Sequence, residues 1–70
     1  MSIEYSEHAK IQMARRSISE SEVLHCLYER SICYPDKKGN FIIRSDIDGR
    51  GIKVVVAKEN QNFIITVADY

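Results

Sequence analysis

Two segments with a helical apolar period, followed by three β-branched runs separated by short polar turns, predict an α+β fold. The arrangement expected is two N-terminal helices packed on a three- or four-stranded antiparallel β-meander. A chain of 70 residues without linker, repeat or low-complexity stretch makes one domain, residues 1–70.

After a short lead-in, Ser6 is placed to cap the first helix. Glu7 in its first turn suits the positive end of the helix dipole, and Arg15 and Arg16 suit the negative end. The helix should stop near Arg16, because the run from Ile18 to Val23 is a fresh start signal. There Ser19 and Glu22 have capping-box spacing, and Ile18 ahead of the cap can pack on Val23 as a hydrophobic staple. In the second helix Val23, Leu24, Cys26 and Leu27 share an apolar arc, with His25 on the solvent side and an end near Glu29 or Arg30. The period changes from Ser31. Ile32, Cys33 and Tyr34 read as a short strand stopped by Pro35, and residues 36–40 as a polar turn. Strands are expected over residues 41–47, 52–58 and 62–68, with residues 48–51 and 59–61 as turns, so these three should pair in series. The nearly continuous apolar runs at Val54-Val55-Val56 and Phe63-Ile64-Ile65 imply that both sheet faces are covered, one by the helices and the other by a partner.

Composition excludes several classes. With 44% hydrophobic and 29% charged residues the chain should fold rather than remain a disordered tail. Ten Lys and Arg against ten Asp and Glu give a formal net charge of +0, so no global field draws it to nucleic acid or anionic membrane. Any polyanion site must be local. The first residues show neither a leader pattern nor a bilayer span, so the expected location is the cytoplasm, with no membrane contact. A core this small seldom supplies more than about 3–5 kcal/mol, which makes a homodimer an expected partner. Cys26 and Cys33 are too few for a disulfide scaffold and lack Cys-x-x-Cys spacing. His25 and Cys26 point to opposite sides of one helix and cannot readily share a zinc ion with His8 and Cys33. No metal and no cofactor is expected.

Several stretches together resemble a known family: Ser6-x-His8-Ala9, Met13 four residues after Ala9, Arg16-x-Ile18-Ser19, Asp48-Gly49-Arg50, Val54-Val55-Val56, and Ile65-Thr66-Val67. In order and spacing, over nearly the whole chain, they are similar to the small prokaryotic proteins grouped as domain of unknown function 4258. The resemblance implies a compact branch of the fold shared by RelE-like, barnase-like and colicin-nuclease domains. It further implies a toxin component of a prokaryotic toxin–antitoxin pair, with RNA as substrate and an antitoxin protein as partner. This chain departs from the family pattern at Gln12, where members commonly carry Arg, and at Ser17, where they commonly carry Gly. The first departure removes a cation beside His8; the second alters the turn between the helices.

Helical winding sets His8, Gln12 and Arg15 in one stripe, with Arg16 at its boundary toward Ala9 and Met13. Metal-independent RNA cleavage requires an acid and a base, and cations for the charge gathering on phosphate. A free histidine titrates near about pH 6.5, so His8 is the candidate acid or base. Arg16, Arg44 and Arg50 are the candidate catalytic cations, since a guanidinium grips phosphate through paired hydrogen bonds. Gln12, Arg15, Lys53 and Tyr70 are candidate substrate contacts, and Tyr34 and Tyr70 suit stacking on bases. A plainer reading of the same residues has His8 opening the helix, the arginines forming a solvated rim and the tyrosines packing at sheet ends. The alternative function is a non-catalytic interaction module that pairs with itself or accepts a segment of another protein.

Overall fold

The computed structural model describes residues 3–70. Its elements are β1 (Glu4–Tyr5), α1 (Glu7–Arg16), α2 (Glu20–Glu29), β2 (Ile32–Pro35), β3 (Phe41–Ile47), β4 (Arg50–Val56) and β5 (Phe63–Asp69). The strands form one five-stranded mixed sheet in the order β1-β5-β4-β3-β2. This corrects the expected three- or four-stranded antiparallel meander. Within the expected lead-in, of which Met1 and Ser2 lie outside the described residues, Glu4–Tyr5 adds a strand parallel to β5. Glu4 N–H donates to the Asn62 carbonyl at 2.8 Å, and Ser6 N–H to that of Ile64 at 2.9 Å. Two residues carry no alternation for a pattern to register, and a parallel partner so distant in sequence leaves no hairpin turn to read.

Local chemistry explains both helices. Ser6 Oγ accepts from the Ala9 N–H at 3.0 Å and donates to the Ile65 carbonyl at 2.6 Å, so one hydroxyl caps α1 and fastens it to β5. At α2 the capping box is complete, with Ser19 N–H on Glu22 Oε1 at 2.9 Å and Glu22 N–H on Ser19 Oγ at 3.2 Å. Ile18 and Val23 on either side of it are buried in the core. Both helices close through left-handed residues, Ser17 at φ 55° and Arg30 at φ 47°.

The turn between β3 and β4 is tighter than the sequence suggests. Asp48 (φ 53°) and Gly49 (φ 81°) form it alone, while Arg50 and Gly51 already belong to β4. Positive φ at both central residues is the type I′ signature. It pairs Ile47 with Arg50, and the register runs on through Ser45 with Ile52, Arg44 with Lys53, and Ile43 with Val54.

Alternation then divides the sheet into two faces. One carries Ile43, Ile52, Val54, Val56, Ile64 and Val67, buried against Ala9, Ile18, Val23 and Cys26 of the helical layer. Here α1 packs on β5 and β1, and α2 on β3 and β4. The other face bears Ile42, Arg44, Asp46, Gly51, Lys53, Val55, Thr66 and Ala68, and among the described residues no helix lies over it. The apolar runs that suggested a second covering have local causes. Val55, 8% exposed, is flanked in register by Ile42 and Thr66, and a bulge opposite Val55 and Val56 leaves Ile65 as an extra residue that breaks the alternation of β5.

Candidate functional site

Register and helix winding sort the candidate residues onto the two sides of the sheet. On the helical side α1 presents His8, Arg15 and Arg16 to solvent with Gln12 half-buried. Gln12, Arg15 and Arg16 line a cleft of about 330 Å³. The His8 side chain makes no hydrogen bond or ion pair among the described residues, and it stands about 12 Å up the helix axis from Arg16. Arg15 is likewise unpaired among them.

Arg16 and Arg50 are brought together, through an acid the sequence reading did not single out. Arg16 Nη1 lies 2.8 Å from Asp69 Oδ1, and Arg50 Nη2 lies 3.2 Å from Asp69 Oδ2. Arg50 also pairs with Glu22 at 3.5 Å, and its guanidinium donates to the carbonyls of Arg16 and Ser17. It thereby occupies carbonyls that the end of α1 leaves without helical partners and ties that end to the start of α2 and the end of β5. Arg16, then Arg50, beside Asp69 hold its carboxyl below the usual aspartate range. The signal for Asp69 is its pairing with Ile52, which sets it on the same sheet face as Arg50, a register visible only once the turn is fixed at Asp48-Gly49.

On the helix-free face a second group forms. Arg44 and Lys53 are direct cross-strand neighbours. Counting back by alternation from the hydrogen-bonded pair at the type I′ turn, theirs is a non-hydrogen-bonded pair, the kind in which side chains stand closest. The Arg44 guanidinium lies 4.0 Å from the centroid of the Tyr70 ring, within cation–π range. Its Nε is buried without a hydrogen-bond partner. The phenol oxygens of Tyr34, then Tyr70, beside it push its pKa up, so it stays charged at any working pH. No ion pair joins Arg44 or Lys53 to an acid among the described residues.

Gly51 permits this stack. A Cβ at this position would stand 2.6 Å from Tyr70 Cε2, and the Gly51 carbonyl accepts the Tyr70 N–H at 2.9 Å. The sequence places Gly51 in a turn. Its role follows from its belonging to β4, on the same face as Lys53.

The cysteines lie apart. Cys26 Sγ is buried near the carbonyls of Ile43 and Ile52, at 3.5 and 3.6 Å, and burial pushes its pKa up to about 11 against a smaller opposing pull from Arg30. Cys33 is exposed on β2. Among the described residues no group of three or more His, Cys, Asp or Glu is placed to hold a metal ion, and no helix is long and apolar enough to cross a membrane.

Comparison with curated proteins and with solved structures gives no significant match. A family model described as domain of unknown function (DUF4258) matches residues 5–69, from the second residue of β1 to the aspartate that ties the helices to the sheet. Spanning nearly the whole chain, that match makes this protein a member of the domain of unknown function 4258 family.

Proposed function

We propose that this chain is an RNA-binding protein of the toxin type, acting in the cytoplasm, and that it holds single-stranded RNA on the helix-free face of its sheet. Arg44 and Lys53 take the phosphates, and Tyr34 and Tyr70 offer ring faces to the bases. The Arg44–Lys53 pair carries the reading. Two cations directly opposite each other repel, and neither makes an ion pair among the described residues, the nearest acid on that face being Asp46 two residues along β3 from Arg44. A bound phosphate removes that repulsion. The buried Nε of Arg44 adds a donor with no internal acceptor. An antitoxin-like partner would inhibit by covering this same face.

Fluorescence anisotropy with a labelled mixed-sequence single-stranded RNA tests the proposal. Tyr70→Ala should weaken binding about fivefold, the low end of the range for one stacked base. Lys53→Ala should weaken it and lower the salt slope by about 0.7, one phosphate contact on a single strand. Equal affinity for wild type, Arg44→Ala and Lys53→Ala would rule this surface out.

A second reading, metal-independent cleavage, is supported by the exposed His8 above the Gln12–Arg15–Arg16 cleft. Incubation of the same RNA in EDTA with wild type and His8→Ala separates the two. Cleavage lost only in a folded His8→Ala protein would place the chemistry on α1, while binding without cleavage leaves the sheet face as the functional surface.

A further inference from the structure

We infer that Asp46 makes the helix-free face selective for RNA over single-stranded DNA by accepting a hydrogen bond from a ribose 2′-hydroxyl. This selectivity rests on the strand binding proposed for that face. The contacts proposed there do not themselves tell ribose from deoxyribose. Cations take the phosphates of either backbone, and a tyrosine ring stacks on the bases of both.

Register places Asp46 beside the groups that would hold the strand. It stands opposite Gly51, one row along the same face from the Arg44–Lys53 pair. The Tyr70 N–H donates to the Gly51 carbonyl, which carries the row on to Tyr70, so Asp46, Gly51 and Tyr70 stand in line across the sheet. Gly51 puts no side chain between the two ends of that row, and the Tyr70 ring leans over it, with Cδ2, Cε2 and Cζ all within 2.9 Å of where a Cβ would be. The Arg44 guanidinium lies 4.0 Å from the ring centroid, and Tyr70 is still 57% exposed. A phosphate on Arg44 and Lys53, with its base on the open part of the Tyr70 ring, leaves the sugar between them over the Asp46 row. Asp46 is two residues from Arg44, about 6.6 Å along the strand. That is the span from a phosphate to the far edge of the sugar it carries.

The chemistry of a carboxylate names the sugar atom. Ionised, it accepts hydrogen bonds and donates none. Asp46 is exposed and makes no ion pair with Arg44, Lys53 or any other cation among the described residues. Beside a bound phosphate such a group only repels, unless the ligand brings it a donor. The phosphodiester and the deoxyribose ring have none, and the 2′-hydroxyl is the donor that an RNA backbone adds. It recurs at every nucleotide, so the contact leaves the face tolerant of sequence, as stacking on tyrosine also does.

Fluorescence anisotropy tests this with three labelled strands of one mixed sequence: RNA, DNA, and a 2′-fluoro strand that keeps an RNA-like sugar pucker without a proton to donate. Wild type should bind RNA about tenfold more tightly than DNA, the low end for a hydrogen bond to a charged group, and should bind the 2′-fluoro strand as weakly as DNA. Asp46→Ala, at an exposed position, should bring the RNA-to-DNA ratio to near one, with circular dichroism as the fold check. The variant also removes a negative charge, which strengthens binding of both strands alike and so cancels in the ratio. Asp48→Asn, which removes a charge from the adjoining turn, should leave the ratio unchanged. A 2′-fluoro strand bound as tightly as RNA overturns the inference, as does an RNA preference that survives Asp46→Ala. A preference for one base that is lost in Asp46→Ala, with RNA and DNA bound alike, overturns it too, since the carboxylate then reads a base edge. If wild type binds RNA and DNA equally while Arg44→Ala and Lys53→Ala weaken both, the binding face stands and only its ribose selectivity falls. No binding of any strand by wild type removes the face and the selectivity together.

Discussion

At Gly51 the hydrogen in place of a side chain lets the Tyr70 ring lie on β4 and stack on Arg44. Gly51→Ala would put a methyl group inside that ring's contact distance. Tyr70 is 57% exposed, so the ring can swing away at little cost to the fold. The expected result is a protein with unchanged circular dichroism, an altered Tyr70 ring environment by NMR and RNA affinity reduced about as far as in Tyr70→Ala. Loss of folding instead would show the ring to be part of the core. The two thiols should part just as clearly. Cys26, buried and with its pKa pushed up to about 11, presents almost no thiolate at neutral pH, whereas Cys33 is exposed. A disulfide-exchange reagent should therefore titrate Cys33 at once and Cys26 only when denaturant opens the core.

Helix ends are where single substitutions should move stability most predictably. Ser17 closes α1 at φ 55°, a conformation that costs a side-chain-bearing residue about 1–2 kcal/mol and costs glycine almost nothing. Glycine adds freedom to the unfolded chain, which offsets part of the gain. Ser17→Gly should stabilise by about 0.5–1 kcal/mol in urea unfolding. Ser6→Ala should destabilise by about 1–2 kcal/mol, since it removes a helix cap and the link to the Ile65 carbonyl together. The elements themselves were legible wherever the information is local. Ser6 and the Ser19–Glu22 box act within a few residues and mark boundaries the structure keeps, while Asp48-Gly49 marks the end of β3 but hands over to β4 two residues earlier than expected. β1 was not legible. Its evidence lies in Asn62 and Ile64, whose carbonyls receive its bonds from the far end of the chain.

Across the whole molecule, the candidate residues were legible as types and not as a constellation, because sheet register decides their side. Arg44 and Arg50 lie on one strand pair, yet Arg44 faces away from the helices with Lys53 while Arg50 shares the helical side with Asp69 and Glu22. That second group joins α1, α2 and β5, so its charge state should appear in global unfolding. The Asp69 carboxyl is held below its reference value of 3.8 by Arg16 and then Arg50. That of Glu22 is held below 4.5 by the Ser19 backbone N–H, aided by the Ser19 hydroxyl and Arg50 against the opposing effect of burial. In both cases the folded state binds protons less readily than the unfolded chain. Their stabilisation is fully present above the unfolded-state values and is lost as pH falls through the lower folded-state ones. These groups are partly exposed and screened, so the effect is modest and shrinks with salt. Urea midpoints at low ionic strength should place Asp69→Asn below wild type at neutral pH, with the gap closing as pH falls through the lowered folded-state value of Asp69. A gap that is unchanged at acid pH would mean that Asp69 holds the helices to the sheet through hydrogen bonds the amide can replace only in part, with no contribution from its charge.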